Sequence, residues 1–278
     1  MKMEGSIPHS AGVLPDEAGR RDVPLAPPGR GPAGKRGIPS LFQAQHFRGA
    51  DDMEGFIQFL NSILYYDLQS LPFIVISLLI AFTVHEFSHA YFAYKFGDPT
   101  AKNQGRLTLN PISHLDPIGT VVLLIAGFGW ARPVPVNRFY FKNPRLAGVV
   151  VSAAGPLSNL LLAFIGGACL FLLFSAFSGS VWVPYAAQFF NVFIQLNLIL
   201  FVFNLLPLPP LDGYRIVEDL VPAHVRVRMA ALEAYGLIIF LVLIFVDPLY
   251  HLTIGPLFQY VVPALYHFII GIFLGVFA

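Results

Sequence analysis

The sequence predicts an all-α polytopic membrane protein of about five to six membrane helices, with a small re-entrant strand or hairpin element. Three observations carry that expectation. Of 278 residues, 56 % are hydrophobic and only 12 % are charged, where soluble domains carry about 25 %. The mean hydropathy is +0.67. Apolar runs of spanning length recur along the chain, and Lys and Arg gather in the polar stretches between them. The net charge of +1 gives no electrostatic reason to expect nucleic acid as a partner. A single cysteine, Cys169, excludes an intrachain disulfide and any multi-cysteine zinc site. Its place in an apolar run makes it a packing residue.

Residues 1–53 are expected to form a disordered tail. The first 50 hold 7 Pro and 8 Gly with no apolar periodicity, too little apolar surface to offset chain entropy. No apolar core of signal-peptide length occurs there, and Met53 begins a stretch that reads as an alternative start. Residues 54–70 are too short to span and read as an interfacial segment. The membrane domain is expected over 71–278, with its core over 71–215. Leu71 to Phe96 would make a helix of about 39 Å, enough to cross a bilayer. After a polar loop, the 13 apolar residues from Ile118 to Trp130 are too few for an ordinary span and suggest a re-entrant element. The alternation Pro133-Val134-Pro135-Val136 suggests an extended strand or hairpin. Helices are expected over 146–177 and 185–206, a short one over 213–221, a further element over 233–250 and a last span over 257–277.

The basic residues orient this map. Of the 17 Lys and Arg, seven lie in the tail, three at 95–106, four at 132–145 and three at 215–228. The connections at 178–186 and 247–256 have none. The positive-inside rule then puts 95–145 and 207–232 in the cytosol. The expected location is the plasma membrane, and the tail would begin outside.

Within the first span, His85-Glu86-Phe87-Ser88-His89 is the one strongly polar cluster. Ionisable groups at membrane depth are costly and persist mostly where they do chemistry or line a polar cavity. Histidines at i and i+4 share a helical face, so both imidazoles can converge on one metal with the glutamate beside them as a base. In a soluble helix the same pattern is often only a solvated face. Here no water is on offer, and the pattern reads as an intramembrane metalloprotease signature.

A catalytic zinc site has three protein ligands and an open position. Candidates for the third are His114, His224, His251, His267 or a carboxylate. The run Asn204-Leu-Leu-Pro207-Leu-Pro209-Pro210-Leu-Asp212-Gly213 offers Asp212 from proline-stiffened backbone at a helix end. Spacing alone leaves two readings open for Asp212, metal ligand or cap of the next helix.

On these motifs the chain resembles the site-2 protease family of intramembrane zinc metalloproteases, in the short form without a PDZ or CBS domain. The resemblance covers nearly all of 70–215. It implies one zinc per chain held by His85, His89 and Asp212. It also implies Glu86 as general base, and Asn204 near the metal as a support for substrate backbone or oxyanion. Asn110-Pro111 to Gly119, Gly129 to Val136 and Ala154-Gly155-Pro156-Leu157-Ser158-Asn159 are similar to the family's loop, re-entrant segment and central helix. For His114 a structural loop contact is the favoured reading, and for Gly155 helix packing. The implied partners are transmembrane protein substrates and the lipid bilayer. An unwound substrate could add to the edge of the 133–136 segment by backbone pairing.

Two other classes are compatible with the same residues. One is a zinc or ion transporter, which would tolerate glutamine at Glu86. The other is a non-catalytic scaffold that binds membrane helices, which would lack a ligand, and all three candidates are present.

Overall fold

The computed structural model describes residues 68–126 and 129–277. The expected tail and the interfacial segment as far as residue 67 lie outside the described residues. Helix α1 (Leu71–Lys95) begins with Pro72 in its first turn, where a fixed φ suits the helix and no N–H is missed. It ends in a Schellman motif. Gly97 takes φ +102°, its N–H donates to the Tyr94 carbonyl, and the Asp98 N–H reaches back to Ala93 at 2.9 Å. Short helices α2 (Thr100–Asn103) and α3 (Pro117–Ala126) follow, and an irregular stretch from residue 129 leads to a 3-10 turn at Arg138–Tyr140. Asn143 caps the long helix α4 (Pro144–Phe177), accepting from Leu146 N. Helix α5 (Val183–Asn204) completes the central unit. Beyond it come α6 (Asp212–Leu220), α7 (Ala223–Glu233), α8 (Gly236–Phe245), α9 (Asp247–Leu252), a π-type turn at Leu257–Val261 and α10 (Val262–Phe277).

Helices α1, α4 and α5 each pack against the other two, and α10 leans on α4 and α5. The core between them is formed by Ala163, Leu170, Leu173, Val183, Ile194, Leu198 and Ile269. Small residues line the buried side of α4, among them Ala147, Gly148, Ala154, Gly155, Ser158 and Ala163, and they let the backbones approach. The outward faces keep Ile76, Ile80, Leu157, Leu161, Ile165 and Leu172 exposed. Such a surface is unfavourable in water and natural against lipid chains.

Three helices are long and apolar enough to cross a membrane: α1, α4 and α5. A fourth span is counted only if α7 and α8, bent by 69°, are taken as one. The expected five to six is not reached among the described residues. The run at 233–250 is interrupted after Glu233 and again at Val246, which is extended ahead of Pro248 at the start of α9. The last run starts as a π-type turn, and its apolar helix is short of spanning length. The expected strand at 133–136 does not form either. Pro133 and Pro135 have no N–H to give a ladder, and the pairing here is one isolated bridge between Leu115 and Ala131.

Candidate metal centre

Histidines 85 and 89 lie one turn apart on the buried face of α1, their rings edge to face with centroids 4.7 Å apart. The two Nε2 atoms are 3.0 Å apart. Asp212 arrives from elsewhere in the chain. A loop with a cis peptide between Pro209 and Pro210 follows α5, and Asp212 is the first residue of α6. Gly213 allows this, because a Cβ there would fall 2.2 Å from the Leu205 carbonyl oxygen. Asp212 Oδ2 then lies 3.1 Å from His85 Nε2 and 3.3 Å from His89 Nε2. Leu211 rather than Asp212 stands at the N-cap of α6, so the helix-cap reading is not what the geometry displays.

The hydrogen bonds behind the imidazoles say which atoms are lone pairs. His85 Nδ1 is 2.7 Å from Asn159 Oδ1, and His89 Nδ1 is 2.7 Å from the Val151 carbonyl oxygen. A carbonyl oxygen only accepts, so both Nδ1 atoms donate and both Nε2 atoms of the neutral rings are acceptors. Asp212 Oδ2 is buried with no hydrogen-bond donor. Three acceptors therefore face one another at 3.0–3.3 Å, an arrangement that is repulsive without a cation among them. Ligands of a tetrahedral zinc with bonds of about 2.0–2.1 Å are themselves about 3.3 Å apart.

Helix α4 closes the other side of the site. A Cβ on Gly155 would fall 2.3 Å from His89 Nε2 and 2.6 Å from His85 Nε2. A side chain there would collide with both imidazoles, so the glycine leaves the room in which they converge. Pro156 follows and removes the N–H that would otherwise donate to Ser152. Glu86 is buried, and its Oε2 accepts from Val134 N at 2.9 Å. The segment carrying Val134 is held by Arg106, whose guanidinium donates to the Arg132 and Pro133 carbonyls. The Arg132 N–H donates in turn to the His114 carbonyl.

Of the residues expected from sequence, His85, His89 and Asp212 come together. Asn204 donates its side-chain amide to the Leu200 carbonyl one turn back at 3.0 Å. His114 is fully buried and bonds the Thr108 carbonyl through Nε2, a loop contact as expected. His224, His251 and His267 are exposed. Sequence reading missed Arg106, Asn197 and the Val151 carbonyl. None of the three is singled out by the sequence: Arg106 is one of several charged residues in its loop, beside Asp98, Lys102 and Asp116.

Residues 174–246 match the model of Peptidase family M50. A Bacillus subtilis (strain 168) protein named "Putative zinc metalloprotease YwhC" is 60 % identical over 201 residues, which is 71 % of this chain and 91 % of that protein. Proteins named "Putative zinc metalloprotease Rip2" are more distant. The one from Mycolicibacterium smegmatis is 32 % identical over 62 % of this chain and 66 % of its own length. The one from Mycobacterium tuberculosis (strain H37Rv) is 34 % identical over 63 % and 67 %. No solved structure matches the chain.

Proposed function

We propose an intramembrane substrate for this chain, which belongs to peptidase family M50 and is a zinc metalloprotease and an integral membrane protein. It hydrolyses peptide bonds in or near the transmembrane segments of other membrane proteins, the cut of regulated intramembrane proteolysis. The supporting observation is the convergence of His85, His89 and Asp212 beside α1, a helix apolar enough to span. His85 Nε2, His89 Nε2 and Asp212 Oδ2 are the zinc ligands in this reading. When bound, zinc supplies Lewis acidity for the attacking water and the scissile carbonyl.

The chain's own groups do the rest. Glu86 takes a proton from the attacking water and passes it to the departing amine. Its hydrogen bond from Val134 fixes one carboxylate oxygen and aims the other. Asn204 donates to the developing oxyanion, a contribution of about 3 kcal/mol for donors of this kind. To do so its amide turns from, or shares, the Leu200 carbonyl. A substrate helix must first unwind, because its amides are committed to intrahelical bonds. The 131–136 segment then offers a backbone template on which the prolines accept but cannot donate. The basic residues at 95–145 and 207–232 favour a plasma-membrane protein whose site opens to the cytosol.

The test is comparative membrane proteomics of cells carrying wild type or Glu86→Gln. Single-span proteins should accumulate uncut in the variant. Unchanged membrane proteins together with altered zinc flux would replace this reading with the transporter.

A further inference from the structure

Behind His85 lie two fully buried asparagines, Asn159 on α4 and Asn197 on α5. A primary amide that deep in a membrane bundle costs several kcal/mol unless its hydrogen bonds are made. Both are bonded. Asn197 Nδ2 donates to the Phe193 carbonyl at 2.9 Å. Asn159 Nδ2 donates to Asn197 Oδ1 at 3.0 Å and to the Ala81 carbonyl at 3.3 Å. Asn159 Oδ1 accepts from His85 Nδ1 at 2.7 Å.

The direction of this chain is dictated from its far end. The Phe193 carbonyl can only accept, so Asn197 must turn its NH2 there and its oxygen toward Asn159. Asn159 meets two acceptors, Asn197 Oδ1 and the Ala81 carbonyl, so it turns its NH2 to them and its oxygen to His85. His85 Nδ1 must then carry the proton, which leaves Nε2 as the lone pair that faces His89 and Asp212. A reversed Asn159 would set oxygen against oxygen twice and force the proton onto Nε2. His89 receives the same instruction from a main-chain carbonyl, that of Val151, which no substitution can remove. For His85 the instruction is made of side chains.

We infer that Asn197 and Asn159 are positioning residues, a one-way amide relay across three membrane helices that sets the tautomer and ring orientation of His85. The inference rests on His85 being a zinc ligand. Outer partners of metal-bound histidines are typically worth about 10- to 100-fold in metal affinity, and Asn197 exerts that effect without touching the imidazole.

The experiment is zinc affinity by chelator competition on the purified protein in detergent, with the visible spectrum of the Co2+-substituted protein as a second readout. Asn159→Leu and Asn197→Leu should each lose about 10- to 100-fold in zinc affinity and lose tetrahedral Co2+ absorption. Asn159→Asp keeps an acceptor toward His85 but loses the NH2 that Asn197 and Ala81 accept from, so it should retain more zinc affinity than Asn159→Leu without reaching wild type. A merely structural role would lower thermal stability in all three without separating the aspartate from the leucine. His85→Ala measured alongside distinguishes the two possible failures. Affinity lost in His85→Ala but kept in Asn197→Leu overturns the relay alone. Affinity kept in His85→Ala overturns the ligand assignment on which the relay rests. Should Asn159→Leu not fold, the Asn197→Leu result decides.

Discussion

The backbone N–H of Val134 donates to Glu86 Oε2 at 2.9 Å, across 48 residues of chain. The segment with alternating prolines thus lies directly on the carboxylate of the His-Glu-x-x-His helix. Arg106 and the His114 carbonyl hold that segment at Arg132 and Pro133. Asp98 takes the Asn137 N–H at its other end, at 2.6 Å.

Glu86→Gln should keep this arrangement, because a glutamine oxygen can still accept from Val134. Zinc content and fold should be unchanged. Cleavage of a single-span substrate in proteoliposomes should fall by about 10²- to 10⁴-fold, the usual contribution of a general base. Retained proteolysis would remove Glu86 from the mechanism.

His85→Ala, His89→Ala and Asp212→Ala should each reduce zinc from about one ion per chain, as read by metal analysis of the purified variants. Chelation of the wild type should lower its unfolding temperature as well, since an ion bound only to the folded state stabilises it in proportion to the logarithm of free zinc over Kd. Unchanged zinc in Asp212→Ala would return that residue to the start of α6 with no part in the centre.

Gly155→Ala should behave like His85→Ala or His89→Ala although neither histidine is replaced. Its methyl group would stand 2.3–2.6 Å from both Nε2 atoms, too close for the imidazoles to keep their places. The expected result is a folded protein with little zinc. Normal zinc in this variant would mean that α4 can withdraw, and that the glycine serves only helix contact.

Asp219→Ala should loosen α6 and with it Asp212. Asp219 Oδ1 takes Arg138 at 2.6 Å and Arg226 at 3.0 Å, with the carboxylate buried and both arginines about 30 % exposed. Breaking a fully buried pair costs about 3–5 kcal/mol, and an exposed one under about 1. The half-open case should cost about 2 kcal/mol, measured by denaturation of the metal-free protein.

The parts of the site that were legible in the sequence are those with local periodicity. His85 and His89 are placed by the helical repeat alone, and α1, α4 and α5 by apolar length. Asp212 needed the resemblance, since a residue 123 positions beyond His89 has no local signal that aims it there. Asn197 and Val151 were illegible because their roles depend on which helix faces contact each other. Gly155 was read as packing, and it is packing, but against the imidazoles rather than a neighbouring backbone. The 133–136 segment misled because proline alternation looks like strand periodicity while removing the donors a strand uses.

Two of the α4 glycines stand seven residues apart, close to two helical turns, and so do two of the α6 carboxylates. A Cβ on Gly148 would fall 2.1 Å from Asp219 Oδ2, and Gly155 stands against the imidazoles that Asp212 meets. The long helix thus carries two notches, one filled by the Asp219 carboxylate of α6 and the other by the α1 imidazoles that Asp212 meets. A slip of α6 by one residue would take Asp219 out of the space that Gly148 leaves for it. The depth at which Asp212 sits is accordingly gauged by α4, through Asp219 two turns further along the same short helix.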